Sequence, residues 1–189
     1  REEVLCCMEY GTDLLQGYYF AKPCEFSRLA HNEAEGKLAD VASAYRFKRI
    51  STIKDRRLRN NLYLKTARGI IRKLSKRPPE AFDDILKDAV TSTDLIDALY
   101  IIDEDGNQQT DTIMKEDGIS KINPIFQAAN RDENLSHKDY YYQLINTDLK
   151  KYTTDRYISF ATGNLCITLS HLFRDRDGRR YILCTDFLK

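Results

Sequence analysis

The chain has 189 residues, 42% hydrophobic and 31% charged, with 30 Lys and Arg against 29 Asp and Glu. That is enough for one good-sized domain with an appendage. A net charge of +1 excludes a general electrostatic preference for nucleic acid or anionic membrane.

The opening residues, REEVLCCMEY, place charges where a secretory leader would carry its apolar core, and no apolar run approaches the ~20 residues of a membrane span. Asp13 to Pro23 (DLLQGYYFAKP) reads as a buried strand or turn that stops at Lys-Pro. A single strand cannot bury its own apolar face, so this segment is expected to belong to a larger domain. From Cys24 to about Leu74 apolar residues recur at helical spacing (Leu38, Val41, Ala42, Tyr45; Ala67, Ile70, Ile71, Leu74). This predicts one long helix or two joined helices, with Ser27 as a candidate cap and Thr52 to Asn61 as the weak point. Arg77-Pro78-Pro79 closes the region and marks an expected domain boundary.

Beyond it the rhythm is mixed. Pro79 to Ser92 predicts a helix, Leu95 to Asp103 a strand, and Asp103 to Asn107 a turn into a return strand through Thr110 to Met114. Lys121 to Arg131 reads as loop or helix, and His137 to Lys150 as a short amphipathic helix. Strands are expected at Tyr157 to Ala161, Leu165 to Arg174 and Arg180 to Leu188, the last two joined by an Asp177-Gly178 hairpin. This order predicts an α+β domain with a five-stranded antiparallel sheet and helices on one side.

The five cysteines (Cys6, Cys7, Cys24, Cys166, Cys184) are odd in number and lack CxxC spacing, which argues against a disulfide framework or a zinc ribbon. Three of them are expected to be buried thiols, and reduced thiols fit a cytoplasmic protein. No metal or other cofactor is expected, and His31, His137 and His171 read as structural or surface residues.

Two resemblances join these readings. Gly11, Asp13, Gln16, Gly17, Tyr18, Tyr19, Phe20, Lys22 and Pro23 resemble the C-terminal end of EAL-type cyclic di-GMP phosphodiesterase domains, with Gln16 at a position that lies near the nucleotide in that family. The family's acidic metal ligands and its Glu-Ala-Leu motif are absent, so the resemblance implies a remnant without activity of its own. The later segments Lys138-Asp139-Tyr140-Tyr141, Tyr157-Ile158-Ser159, Thr162-Gly163, Cys166 to Ser170, Asp177-Gly178 and Asp186 resemble, in order and spacing, PAS-like sensor modules called Cache or PDC domains. Together they imply an EAL remnant at 1–23, a helical connector at 24–77 and a PAS-like sensor domain at 78–189.

A PAS-like sheet curls around a pocket, for which Lys138, Tyr141, Tyr157, Ser159 and Asp186 are the candidate ligand-binding residues. A carboxylate inside an apolar strand (ILCTDF) must meet a cation or several donors, so Asp186 is expected to pair with Lys138 or Arg156, or with a ligand amine. No catalytic residue is expected. Between Arg46 and Arg77 there are thirteen Lys or Arg and one acid, Asp55. No helix-turn-helix or RNA-binding signature accompanies this basic stretch, so nucleic-acid binding is not favoured over a connector that pairs with a second copy. The expected function is sensory and regulatory: a homodimeric, cytoplasmic module that binds a small ligand and informs an EAL domain of the same polypeptide. The alternatives are a dimerisation module without a ligand and, less favoured, a nucleic-acid-binding protein.

Overall fold

The computed structural model describes residues 1–23, 25, 31–115 and 127–188, which divide into two compact units, Arg1–Asn60 and Asn61–Lys189. The proposed cap Ser27, Cys24 and most of Lys121 to Arg131 lie outside the described residues.

The first unit contains α1 (Glu2–Glu9) and most of α2 (His31–Leu74). The sequence pattern did not assign α1, which buries no residue. It carries Glu2 and Glu3 in its first turn, where the helix dipole favours acids. Its far end is tied to α2 by the Tyr45 hydroxyl, which donates to the Met8 carbonyl at 3.1 Å, and by a Glu9–Lys48 ion pair at 2.9 Å. The expected buried strand at Asp13 to Pro23 is instead irregular, with one turn closed by Phe20 N–H donating to the Gly17 carbonyl. Leu14 and Tyr18 are 89% and 75% exposed. The segment has no ladder partner among the described residues, and without one an apolar strand has nothing to bury against. Gln16 lies on this exposed stretch.

Helix α2 runs unbroken through Thr52 to Asn61. No proline interrupts it, and two asparagines cost only tenths of a kcal/mol each, at about 0.7 or less. Phe47, Ile50, Ile53, Leu58 and Leu62 are exposed along it.

The second unit begins at Asn61, upstream of the Arg77-Pro78 boundary read from the sequence. Tyr63, Ala67, Ile70 and Leu74 of α2 are buried in its core. After a 3-10 turn at Pro79–Ala81 come α3 (Phe82–Thr91), β1 (Ile96–Asp103), β2 (Ile113–Met114), α4 (Asp139–Ile145), β3 (Lys151–Thr153), β4 (Tyr157–Ile158), β5 (Leu165–Arg174) and β6 (Arg180–Leu188). The strands form one antiparallel sheet in the order β2-β1-β6-β5-β3, with β4 also paired to β5. It has six strands where five were expected, because Lys151–Thr153 pairs with His171, Ser170 and Leu169. The expected helix to Lys150 is correspondingly shorter and ends at Ile145.

Alternation along the strands sorts the two faces. Leu99 and Ile101 of β1, Leu183 and Phe187 of β6, and Leu169 and Phe173 of β5 face α2 and α3, where Phe187 stacks on Tyr63 at 4.2 Å. Tyr100, Ile102, Ile182 and Cys184 face α4, with Tyr140, Tyr141 and Leu144, so helices cover both faces and not the one side expected from the sequence. The β1–β6 register shifts by a bulge between Ile96 and Ala98: Ile96 lies opposite Phe187, and Ala98 lies opposite Asp186. Asp97 is the extra residue. Its carboxylate accepts from the Thr162 hydroxyl and from Asn164 Nδ2 at 2.7 Å.

The turn after β1 positions the segment that leads into α4. Gly106 has φ +87°, and a Cβ there would lie 2.7 Å from that of Ser136, so only glycine fits. Leu135 N–H donates to the Gly106 carbonyl at 2.7 Å, and Lys138 N–H donates to the Leu135 carbonyl at 3.0 Å. A glycine turn thus fixes the entry to α4.

Candidate ligand-binding site

On the α4 side of the sheet lies a cavity of about 520 Å³. Its floor is Tyr100 and Asp186. Its walls come from Gln108 and Ala129, from Lys138 and Tyr140 at the start of α4, and from the Thr154 to Ala161 segment. The volume suits a small metabolite.

Asp186 is the chemical centre. It is 3% exposed and pairs in register with Thr168 of β5. The Thr168 hydroxyl donates to Asp186 Oδ1 at 2.7 Å, so Tyr157 donates its own proton to Thr168 Oγ1 at 2.5 Å. Burial pushes the Asp186 carboxyl up to about 7; the Thr168 hydrogen bond lowers it, the Asp97 charge raises it and the Tyr157 hydroxyl lowers it further. Neither Lys138 nor Arg156 forms an ion pair with it; among the described residues Asp186 has hydroxyl partners and no cation. The internal salt bridge expected from the sequence is therefore not made.

Four of the five sequence-predicted residues line the cavity: Lys138, Tyr157, Ser159 and Asp186. Lys138 is half-buried, and its ammonium has no partner among the described residues. Ser159 is buried and its hydroxyl accepts from Ala161 N–H at 3.2 Å, so it shapes the rim turn as well as the lining. Tyr141 is the correction. It does not line the cavity, and its hydroxyl donates to the Glu104 carbonyl at 2.7 Å. Neighbours on a helix point about 100° apart, so Tyr140 takes the cavity position instead. The Tyr140 hydroxyl accepts from that of Tyr100 at 2.9 Å. Burial raises the hydroxyl pKa of Tyr100, Tyr140 and Tyr157, which keeps all three neutral.

Sequence reasoning also missed Gln108. It is fully buried and lines the cavity; its amide nitrogen donates to the Thr110 and Ala129 carbonyls, while its Oε1 accepts no hydrogen bond among the described residues. The only signal available was a glutamine just after a turn, which is weak. His137 lies exposed at the cavity rim. Of the thiols, Cys166 and Cys184 are buried and Cys6 and Cys7 are exposed. Burial pushes Cys166 up to about 12, which makes it inert. No His, Cys, Asp and Glu cluster suited to a metal occurs among the described residues, and no helix is long and apolar enough to cross a membrane.

No protein-family model matches this sequence, and no curated protein does. Solved structures do match its fold. The Bacillus subtilis YkuI protein, solved with an EAL domain in complex with cyclic di-GMP and calcium, aligns over 100% of this chain and 46% of its own (TM-score 0.62, 21% identity). The sensory domain of the Campylobacter jejuni chemoreceptor Tlp3, solved with isoleucine bound, aligns over 72% of this chain and 53% of its own (TM-score 0.52, 19% identity). An extracellular ligand-binding receptor from Desulfohalobium retbaense aligns over 70% of this chain and 23% of its own (TM-score 0.50, 16% identity). This chain therefore spans about half or less of the length of these proteins. At such identities the likeness shows the fold alone: an α+β arrangement with an antiparallel sheet, similar to that of these ligand-binding domains.

Proposed function

We propose that this chain is the sensory, regulatory region of a bacterial cyclic di-GMP signalling protein, and that its cavity holds a small ligand bearing a protonated amine. The observation that carries this reading is Asp186: a buried carboxylate at the base of a 520 Å³ cavity, with hydroxyl donors and, among the described residues, no cation paired with it. A ligand ammonium would supply the missing charge. Lys138, which lines the same cavity and has no ion-pair partner among the described residues, suits a carboxylate at the other end of the ligand, so an amino acid is the favoured class. The isoleucine in the Tlp3 sensory domain supports this reading.

The alignment of all of this chain with 46% of the EAL-bearing YkuI protein, together with the Gln16 to Pro23 motif, supports assignment of residues 1–23 to the end of an EAL domain. The ligand would then bias that domain through α2, because a ligand shifts an equilibrium only by binding one state better than the other. This chain is expected to hydrolyse no cyclic di-GMP and to reside in the cytoplasm. The exposed apolar residues of α2 favour pairing with a second copy, which light scattering would detect; a monomer at high concentration would remove that part.

Thermal-shift screening with amino acids and small amines, followed by calorimetry, tests the ligand. The expected result is stabilisation by one or a few such compounds, abolished in Asp186→Asn. If no amine binds, or if the Asn variant binds equally well, the reading fails and a ligand-free dimerisation module takes its place.

A further inference from the structure

A second concavity, of about 530 Å³, lies on the α2 side of the sheet at its β3 edge and is bounded by Arg68, Ile71, Asp148, Leu149, Lys150, Lys151 and His171. Its charges come from three directions. Arg68 is on α2, Lys151 on β3 and His171 on β5, while Asp148 and Lys150 stand in the connection after α4. Lys151 and His171 are direct cross-strand partners, so both project towards Arg68. None of Arg68, Lys150 or Lys151 forms an ion pair among the described residues, and Asp148 is the one acid in the lining. His171 Nδ1 lies 2.8 Å from the Leu172 carbonyl, and a carbonyl only accepts, so Nδ1 carries the proton. Nε2 is then left without a partner among the described residues. Burial, with the Arg68 and Lys151 charges, holds this imidazole below its ordinary pKa against the opposing Leu172 hydrogen bond.

We propose that this pocket binds a small phosphate monoester, its phosphoryl group held by Arg68, Lys150 and Lys151, with His171 donating from Nε2 once the bound dianion has made it an imidazolium. A tetrahedral dianion accepts from several converging donors at once and relieves their mutual repulsion. Ile71 and Leu149 form an apolar wall beside the cations, and the volume leaves room for an organic group on the phosphate. Neither the cavity at Asp186 nor its ligand enters the argument, so the two proposals fail separately.

The test follows the His171 ring signal by NMR in the whole chain, identified by its loss in His171→Gln. Adenosine monophosphate and inorganic phosphate are titrated against sodium chloride at matched ionic strength. Both phosphates are expected to shift the signal saturably and to raise the pH at which His171 titrates, because the bound dianion offsets Arg68 and Lys151. Tighter binding of the nucleotide identifies an ester as the ligand, whereas equal binding narrows it to free phosphate and overturns the ester assignment. Arg68→Gln and Lys151→Met should each weaken binding roughly tenfold, and Asp148→Asn should strengthen it several-fold, a gain that misfolding cannot imitate. If neither phosphate shifts His171 beyond the chloride control, or if binding survives in the Arg68→Gln, Lys151→Met double variant, the proposal is overturned.

Discussion

The two faces of the sheet are built from alternate residues of the same strands, yet they solve opposite problems. Across β1 and β6 the face under α2 and α3 is an apolar layer around Thr185, with Phe187, Leu183 and Leu99 fully buried against Leu74, Phe82 and Leu86. The face under α4 starts the same way at Ile182 and Cys184 and then turns polar at Asp186, Thr168 and Tyr157, where the cavity opens. One face provides the burial that lets the other carry a raised carboxyl. A site with a destabilising group needs a core that tolerates it.

The hardest blow to this contrast is Phe187→Ala on the closed face. It removes a fully buried ring stacked on Tyr63 and is expected to cost about 3–5 kcal/mol, read from the urea midpoint. A smaller loss would mean that the α2 layer is not the main core.

Next in size is the pH dependence of the open face. The Asp186 carboxyl titrates near 7 when folded and near its ordinary 3.8 when unfolded. Between those values the native state holds the extra proton, so its stability falls as pH rises from about 4 to 7, by a few kcal/mol in all, and is flat above. Asp186→Asn should erase that slope in denaturant titrations across pH. An amine ligand pairs with the ionised form, so its affinity should rise as pH increases through 7.

Two tyrosines on the open face sharpen the comparison. Tyr157→Phe removes the hydroxyl on Thr168 and should cost about 1 kcal/mol, while moving the Asp186 titration further up. Tyr141→Phe loses a hydrogen bond of similar worth to the Glu104 carbonyl but should leave ligand affinity and the Asp186 titration unchanged. Equal effects of the two on binding would erase the distinction drawn between Tyr157, which lines the cavity, and Tyr141, which does not.

The smallest expected effect is on the closed face. Thr185 is fully buried there, and its hydroxyl has no hydrogen-bond partner among the described residues. Thr185→Val keeps the shape and removes an unmet polar group, so it should be neutral or stabilising by about 1 kcal/mol or less. A clear loss of thermal stability would show that the hydroxyl is engaged in solution.

What the sequence disclosed follows from how local each signal is. The bounds of β5 and β6 were legible because a hairpin at Asp177-Gly178 sits between two alternating runs. Asp186 stood out as a lone carboxylate in an apolar strand, and Lys138, Tyr157 and Ser159 were placed by motif order. Strand β3 escaped because its three residues, Lys151 to Thr153, gain their meaning only from pairing with β5. Tyr100 and Gln108 escaped because the cavity forms only when β1 is aligned with β6 and α4. The tyrosine triplet carried the right composition and the wrong member, since a helix phase error of one residue rotates the choice by 100°. At the N-terminal end an apolar composition suggested burial, while the described structure leaves Leu14 and Tyr18 open.

The irregular pairing at Asp97 has one more consequence. On an uninterrupted ladder the residue after Ile96 would stand directly opposite Asp186, bringing two carboxylates face to face at about 5 Å between their Cβ atoms. The inserted residue hands that place to Ala98 and sends Asp97 to Thr162 and Asn164. It acts as an electrostatic spacer that doubles as a mooring: the same side chain that is kept off Asp186 holds the turn whose Ser159, Phe160 and Ala161 form the lip of the cavity.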